Sequence, residues 1–154
     1  MNRFCWGVLL FFLLLPACRF APDEVRSYRH IPSEGWCADS LVDIVVPVTD
    51  TTGLYRIAVD LRFTDDYPYA NLWLFLSVAA PDTLFPADTL SCTLSDKYGR
   101  WLGSGIGSHR QLEVPFRQAM RFPSSGEWHI FIQQGMRDRW LSGITEVGVK
   151  VSPE

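Results

Sequence analysis

The residue with the most definite chemical setting is Cys18. It closes Leu15-Pro16-Ala17-Cys18, at the end of the unbroken apolar run Gly7 to Leu15, behind the short basic start Asn2-Arg3. The run falls well below the roughly 20 apolar residues of a spanning helix but fits the hydrophobic region of an export signal. A cysteine after a small residue, with an aliphatic one two places before that, resembles a lipobox. Pro16 stands where Ser, Ala or Thr is commoner. The chemistry expected is a thioether between Cys18 and diacylglycerol, cleavage before the cysteine and acylation of the new N-terminus. Each buried CH₂ adds about 0.8 kcal/mol, so two or three chains make a stable membrane anchor. The plainer alternative is a secretory signal with Cys18 an ordinary cysteine.

The remaining reactive residue types do not assemble into a site. Gly103-Ser104-Gly105-Ile106-Gly107 is G-x-G-x-G with no following Lys-Ser/Thr, so it specifies no phosphate cradle and reads as a flexible hairpin loop. His30, His109 and His129 are scattered and lack the close spacing of zinc ligands; no metal site is expected. Ser108-His109 are neighbours in sequence, which does not make a nucleophile and base. Asp65-Asp66 beside Pro68 has the residue types for calcium or acid–base work, yet turn chemistry accounts for the pair. Cys37 and Cys92 have no basic neighbour to make a thiolate. In an exported chain they form either a disulfide or two small buried hydrophobes, and spacing does not decide between them. No catalytic constellation, cofactor motif or small-molecule substrate is indicated.

Composition narrows the class. The 154 residues carry a formal charge of −3, with 47% apolar and 20% charged side chains. That is one domain's length and too apolar for disorder. The slight acidity argues against nucleic acid, which is bound by basic patches. Neither repeats nor low-complexity tracts are visible.

The elements that must position any site follow a period of two. Leu41–Val48 is a β-branched run whose Pro47 marks either a sheet edge or the end of ladder pairing. Asp50–Gly53 reads as a turn. In Tyr55–Phe63, Ile57, Val59, Leu61 and Phe63 alternate with polar or small residues, as on a half-buried strand. Asn71–Ala80 is apolar on both faces, so it is either central and covered twice or has one face turned to a partner. Leu90, Cys92 and Leu94 point inward on Asp88–Ser95. Asp96–Gly99 is a turn, Arg100–Leu102 a short strand, and Gln111–Phe116 another. Trp128, Ile130 and Ile132 alternate along Glu127–Gln133, and Val147, Val149 and Val151 along the last strand. Met136–Leu141 reads as a helical turn. Seven to nine short strands separated by turns indicate an all-β fold: a single antiparallel β-sandwich, jelly-roll or Greek-key in type, after a cleaved lipoprotein signal peptide. The division expected is signal peptide over residues 1–17, lipidated tether over 18–32 and β-sandwich over 33–154.

The surplus is aromatic. Trp36, Trp73, Trp101, Trp128 and Trp140 follow Cys18. Core packing is the expectation for most of them, Trp73 and Phe75 included. The alternative for that pair is an exposed platform for a protein or a sugar.

Three blocks carry a resemblance to a known family. They are Tyr67-Pro68-Tyr69-Ala70-Asn71-Leu72-Trp73-Leu74-Phe75; Asp88-Thr89-Leu90 with Leu94-Ser95-Asp96-Lys97-Tyr98-Gly99-Arg100-Trp101-Leu102-Gly103-Ser104-Gly105; and Phe122-Pro123-Ser124-Ser125-Gly126, Gln134-Gly135-Met136-Arg137, Leu141-Ser142-Gly143-Ile144 and Val147-Gly148. With Cys18, this order resembles the gliding-motility lipoprotein GldH family of Bacteroidetes over most of the chain. Ser108, where an acidic residue is expected, and Trp128, where Tyr is more usual, are departures.

The resemblance implies a non-enzymatic accessory lipoprotein of the gliding-motility and type IX secretion apparatus, held in the cell envelope by the Cys18 lipid. Its partners would be other envelope proteins of that apparatus, and its mechanism scaffolding. It supplies no catalytic residues. Tyr67, Tyr69, Trp73, Trp101 and Arg137 stand as family-motif or partner-binding positions. The phylum also implies O-glycosylation at Asp-Ser/Thr followed by an apolar residue or Thr; Asp39-Ser40-Leu41, Asp50-Thr51-Thr52, Asp82-Thr83-Leu84 and Asp88-Thr89-Leu90 fit. The rival reading is a glycan-binding surface lipoprotein with an aromatic platform.

Overall fold

Alternating β-branched and aromatic residues, punctuated by Gly, Pro and Asp, leave little but antiparallel strands for this chain. A computed structural model describes residues 24–154. Cys18 and the expected signal peptide lie outside the described residues. The strands are β1 (Val25–His30), β2 (Trp36–Cys37), β3 (Val42–Val48), β4 (Tyr55–Thr64), β5 (Asn71–Ala80), β6 (Thr83–Leu84), β7 (Asp88–Thr93), β8 (Ser104–Ile106), β9 (His109–Met120), β10 (Gly126–Gln134), β11 (Trp140–Leu141) and β12 (Ile144–Pro153). They exceed the seven to nine expected because several are only two or three residues long. Among the described residues there is no helix.

Two five-stranded antiparallel sheets stack as a sandwich. The first runs β1-β12-β4-β9-β8; the second runs β3-β10-β5, with β6 and β7 following one another along the far side of β5. The β2–β11 ribbon lies at one end. Of the two readings of its proline, the edge holds: β3 is an edge strand, and Pro47 is exposed. The expected alternation forms the core. Ile57, Val59, Leu61 and Phe63 of β4 and Val147, Val149 and Val151 of β12 are buried with Leu72, Leu74, Leu76 and Val78 of β5 and Trp128, Ile130 and Ile132 of β10. Each such side chain contributes roughly 1.5–3 kcal/mol by leaving water.

The expected tether is corrected. Val25–His30 is a strand in register with β12, Val25 opposite Val151 and His30 opposite Glu146. Its side chains alternate too weakly in hydropathy to announce it, because what they cover is polar. Tyr28 lies over Gly148, where a Cβ would come within 2.4 Å of the ring. Its hydroxyl donates to Asp60 Oδ2 at 2.7 Å, and Gln111 Nε2 donates to the same oxygen at 2.8 Å. Asp60 is left only 1% exposed. Burial raises the Tyr28 phenol's pKa, and the bond to Asp60 adds to the rise. The outer face of β4, expected to be solvated, is therefore covered at its centre.

Two further expectations change. Met136–Leu141 is not a helical turn: it bends and then pairs as β11 with β2. The glycine loop at 103–108 is largely strand β8 folded on the start of β9. Gly105 must be glycine there, since a Cβ would sit 1.9 Å from the His109 carbonyl oxygen.

β9 is twelve residues long and carries two register shifts against β4. Ala119, exposed in the second, has φ of 51°. Bulges and Pro115 disrupt an edge that β8 covers only over its first three residues.

Of the two readings open for the cysteines, the structure has the free thiols: Cys37 and Cys92 are unbonded. Cys92 faces the core from β7, and burial pushes its thiol up to about 12. Cys37 is half-buried on β2.

Two outcomes follow from these contacts. Replacing Ala119→Gly removes a left-handed alanine at the cost of a more flexible unfolded chain, for a net gain of about 0.5–1 kcal/mol in denaturant unfolding. Alkylation of the native protein near pH 8 modifies Cys37 and spares Cys92 until denaturant is added, as peptide mapping by mass spectrometry will show.

Candidate functional site: an aromatic face and the groove at its end

The motif residues gather at the end of the sandwich where β4 finishes and β5 starts. Thr64 N–H donates to the Gly143 carbonyl at 2.8 Å, and Tyr67 N–H to the Thr64 carbonyl at 3.0 Å. Gly143 has φ of 85°, and a Cβ on it would lie 2.5 Å from Tyr67 Cα. Glycine at 143 is therefore what lets the Tyr67 turn close. Tyr67 is buried, and its hydroxyl donates to the Asn71 carbonyl at 2.9 Å. Burial pushes its pKa above the ordinary phenol range.

Trp101 joins this cluster from the Gly-Arg-Trp-Leu-Gly block. It is half-buried, edge-on to Phe63 at 5.4 Å and 6.5 Å from the Tyr67 ring. Asp96 builds the preceding turn. Its Oδ1 accepts from the backbone N–H groups of Tyr98 at 2.8 Å and Arg100 at 2.9 Å, and its Oδ2 from Arg100 Nε at 2.8 Å. The Arg100 backbone N–H, followed by its guanidinium, holds the Asp96 carboxyl below the usual range despite some desolvation. Tyr67 and Trp101 are thus packing residues, which leaves Tyr69, Trp73 and Arg137 at the surface.

Those three line one groove. Tyr69, Asn71, Trp73, Gly135, Met136 and Arg137 enclose about 310 Å³. Tyr69 donates its hydroxyl to Asp138 Oδ2 at 2.7 Å, a bond that raises the phenol's pKa. Gly135 N–H donates to the Trp73 carbonyl at 2.7 Å, and Trp73 N–H to Met136 Sδ at 3.4 Å. The 134–138 segment is folded by Gln134, which the sequence analysis named within a family block without giving it a structural role. It is 2% exposed, accepts from Met136 N–H at 2.7 Å and donates to the Asp138 carbonyl at 2.8 Å. A Gln two places beyond Ile132, on the inward side of the alternation, was the available signal.

Trp73 and Phe75 are not core, contrary to expectation. They are 43% and 47% exposed, next to one another on the outer side of β5, while Leu72, Leu74 and Leu76 are buried on the other. Phe75 lies against Gly135, whose Cβ would meet the ring at 3.0 Å. Further along the same face His129 stacks on Phe131, centroids 5.8 Å apart, and its Nδ1 lies 2.9 Å from both oxygens of Asp43. Among the described residues no hydroxyl or thiol is hydrogen-bonded to that imidazole. Among the described residues Trp36 and Trp128 are the fully buried indoles, and Trp140 is exposed on β11.

A larger concavity, about 910 Å³, lies elsewhere, lined by the β8–β9 hairpin with Arg62 and Glu146. Its Arg62 is paired with Glu146 and its Arg110 with Asp65. The latter pair accounts for one of the two carboxylates at Asp65-Asp66. Of the Asp-Ser/Thr triplets, Ser40 and Thr89 are exposed, while Thr51 and Thr83 are half-buried.

Comparison with known proteins identifies the family. Residues 23–151 match the family model described as GldH lipoprotein. A gliding motility lipoprotein GldH homolog of Christiangramia forsetii is 30% identical over 160 residues, which covers 97% of this chain and 96% of the relative. The gliding motility lipoprotein GldH of Flavobacterium johnsoniae is 29% identical over 154 residues and 94% of each chain. Among solved structures the likeness is distant. Dimeric latent PorU from Porphyromonas gingivalis aligns with a TM-score of 0.31 and 14% identity, over 86% of this chain and 13% of that one. The match over nearly the whole length settles the family: this chain belongs to the GldH lipoproteins.

Proposed function

We propose that the chain is an accessory lipoprotein of the gliding-motility and type IX secretion apparatus. It is held in the cell envelope by diacylglycerol on Cys18 and acts by docking other envelope proteins rather than by catalysis. The observation that carries the docking reading is the exposed Trp73–Phe75 pair on a strand whose other side is fully buried. The rigid strand holds both rings in place, so a partner covering them gains apolar burial without ordering loose side chains. The names of the relatives support gliding motility, and the family description supports a lipoprotein.

A second reading places a glycan in the groove. It draws on Asn71 and Arg137 beside the Trp73 indole, a polar edge next to an aromatic face of the kind that stacks on sugars.

The two readings separate in one experiment. An epitope-tagged copy is crosslinked in cells, and its membrane-bound partners are identified by mass spectrometry. Gliding or type IX secretion proteins are expected. Their loss in Trp73→Ala, by tenfold or more, is expected without loss of the fold, since that side chain leaves no cavity in the core. Partners from glycan uptake, or none, overturn the docking reading; oligosaccharide binding abolished by Trp73→Ala then favours the second.

A further inference from the structure

The two ends of the sandwich differ in what reaches them. Val25 enters beside Val151, which pairs with Ile57. That end also carries the β3–β4 loop at residues 49–54, the turn at 121–125 and the β5–β6 tip at 81–82. Leu54 and Leu84, 40% and 72% exposed, lie there. The groove and the Tyr67–Trp101 cluster occupy the opposite end, the full length of β5 away. Ten residues at about 3.3 Å each separate the two by roughly 30 Å.

The chain between lipid and fold is short. Glu24 is already tied to the first sheet through Arg26 Nε and, at 3.7 Å, Lys150 Nζ. Only residues 19–23 stand between it and Cys18. Six Cα steps, fully extended, span about 20 Å. With the groove end against the bilayer, Glu24 would stand some 30 Å from it, beyond that reach. Charge does not set the orientation: Asp50, Glu127 and Glu154 are interspersed with Arg56 and Arg121 at this end, a mixture that anionic lipid does not attract as it would a polybasic patch.

We infer that the Val25 end is a membrane-facing surface. Its occupant is the headgroup layer of the bilayer that carries Cys18, and the groove end is held outward, toward the aqueous side. This rests on the lipid anchor proposed above and deepens it. The partner of the Trp73–Phe75 face is then a water-exposed domain, not a segment within the membrane.

The test uses the full lipidated protein, purified from membranes into phosphatidylcholine nanodiscs containing a headgroup-chelated gadolinium lipid, and reads amide line broadening by NMR. Strong broadening is expected for residues 51–53, 82–84 and 124–125, and several-fold less for 106–108 and 137–140. Inserting twenty Gly/Ser residues after Phe20 is expected to reduce the difference between the ends several-fold. Uniform or inverted broadening in a protein that carries acyl mass and elutes with the discs overturns the orientation alone. So does a difference unchanged by the insertion. A protein with no acyl mass that elutes apart from the discs instead removes the anchor, and the orientation with it.

Discussion

A two-layer sandwich gives each sheet one inner side, and a strand delivers alternate residues to opposite sides. That geometry decides most of what this chain presents to its surroundings. Because β5 commits Leu72, Leu74, Leu76 and Val78 to the core, Trp73 and Phe75 must stand outside. No third layer covers them among the described residues. The exposed pair is a consequence of the packing, and the 134–138 segment then walls one end of it through Gln134 and Gly135. The first sheet meets the same constraint differently. Its outer side, at β4, is closed by Tyr28 and Gln111 around the Asp60 carboxylate.

How much of this could be read beforehand depends on whether hydropathy marks it. The inward residues of β4, β10 and β12 alternate so regularly that period alone located them. The class of fold followed from the same period, while Pro47, with no donor to give, fitted either an edge or the end of ladder pairing, and the sheet order decides for the edge. β1 was invisible because Arg26 and Tyr28 face a polar neighbour, so its pattern resembles a solvated linker. The 136–141 segment misled for another reason: its shape is set by a buried amide and a bridge to β2, contacts distant in sequence. Trp73 and Phe75 were ambiguous in principle. A strand apolar on both sides fits twofold burial as well as a partner face, and only the number of layers distinguishes them.

The site was legible to a similar degree. The family blocks brought Tyr69, Trp73 and Arg137 to one groove, while Tyr67 and Trp101 of the same blocks turned inward as supports. A motif records what must be kept without separating contact from scaffold. Burial makes that separation: the hydroxyl of Tyr67 is occupied by its own turn, whereas Trp73 spends its backbone on Gly135 and Met136 and keeps its side chain exposed.

The register of β1 has a mechanical meaning. Were the proposed lipid and a partner at the groove end to pull against one another, the force would run along the strand axis, since β1 begins at Val25 and the groove lies at the far end. The β1–β12 hydrogen bonds lie across that axis, so all six register pairs bear the load together instead of opening one by one. Tyr28, wedged over Gly148 and bonded to Asp60, blocks the strand from sliding. Under the proposed arrangement, tension between the anchor and a partner would thereby load the sheet in shear, the direction in which a β-sheet yields last.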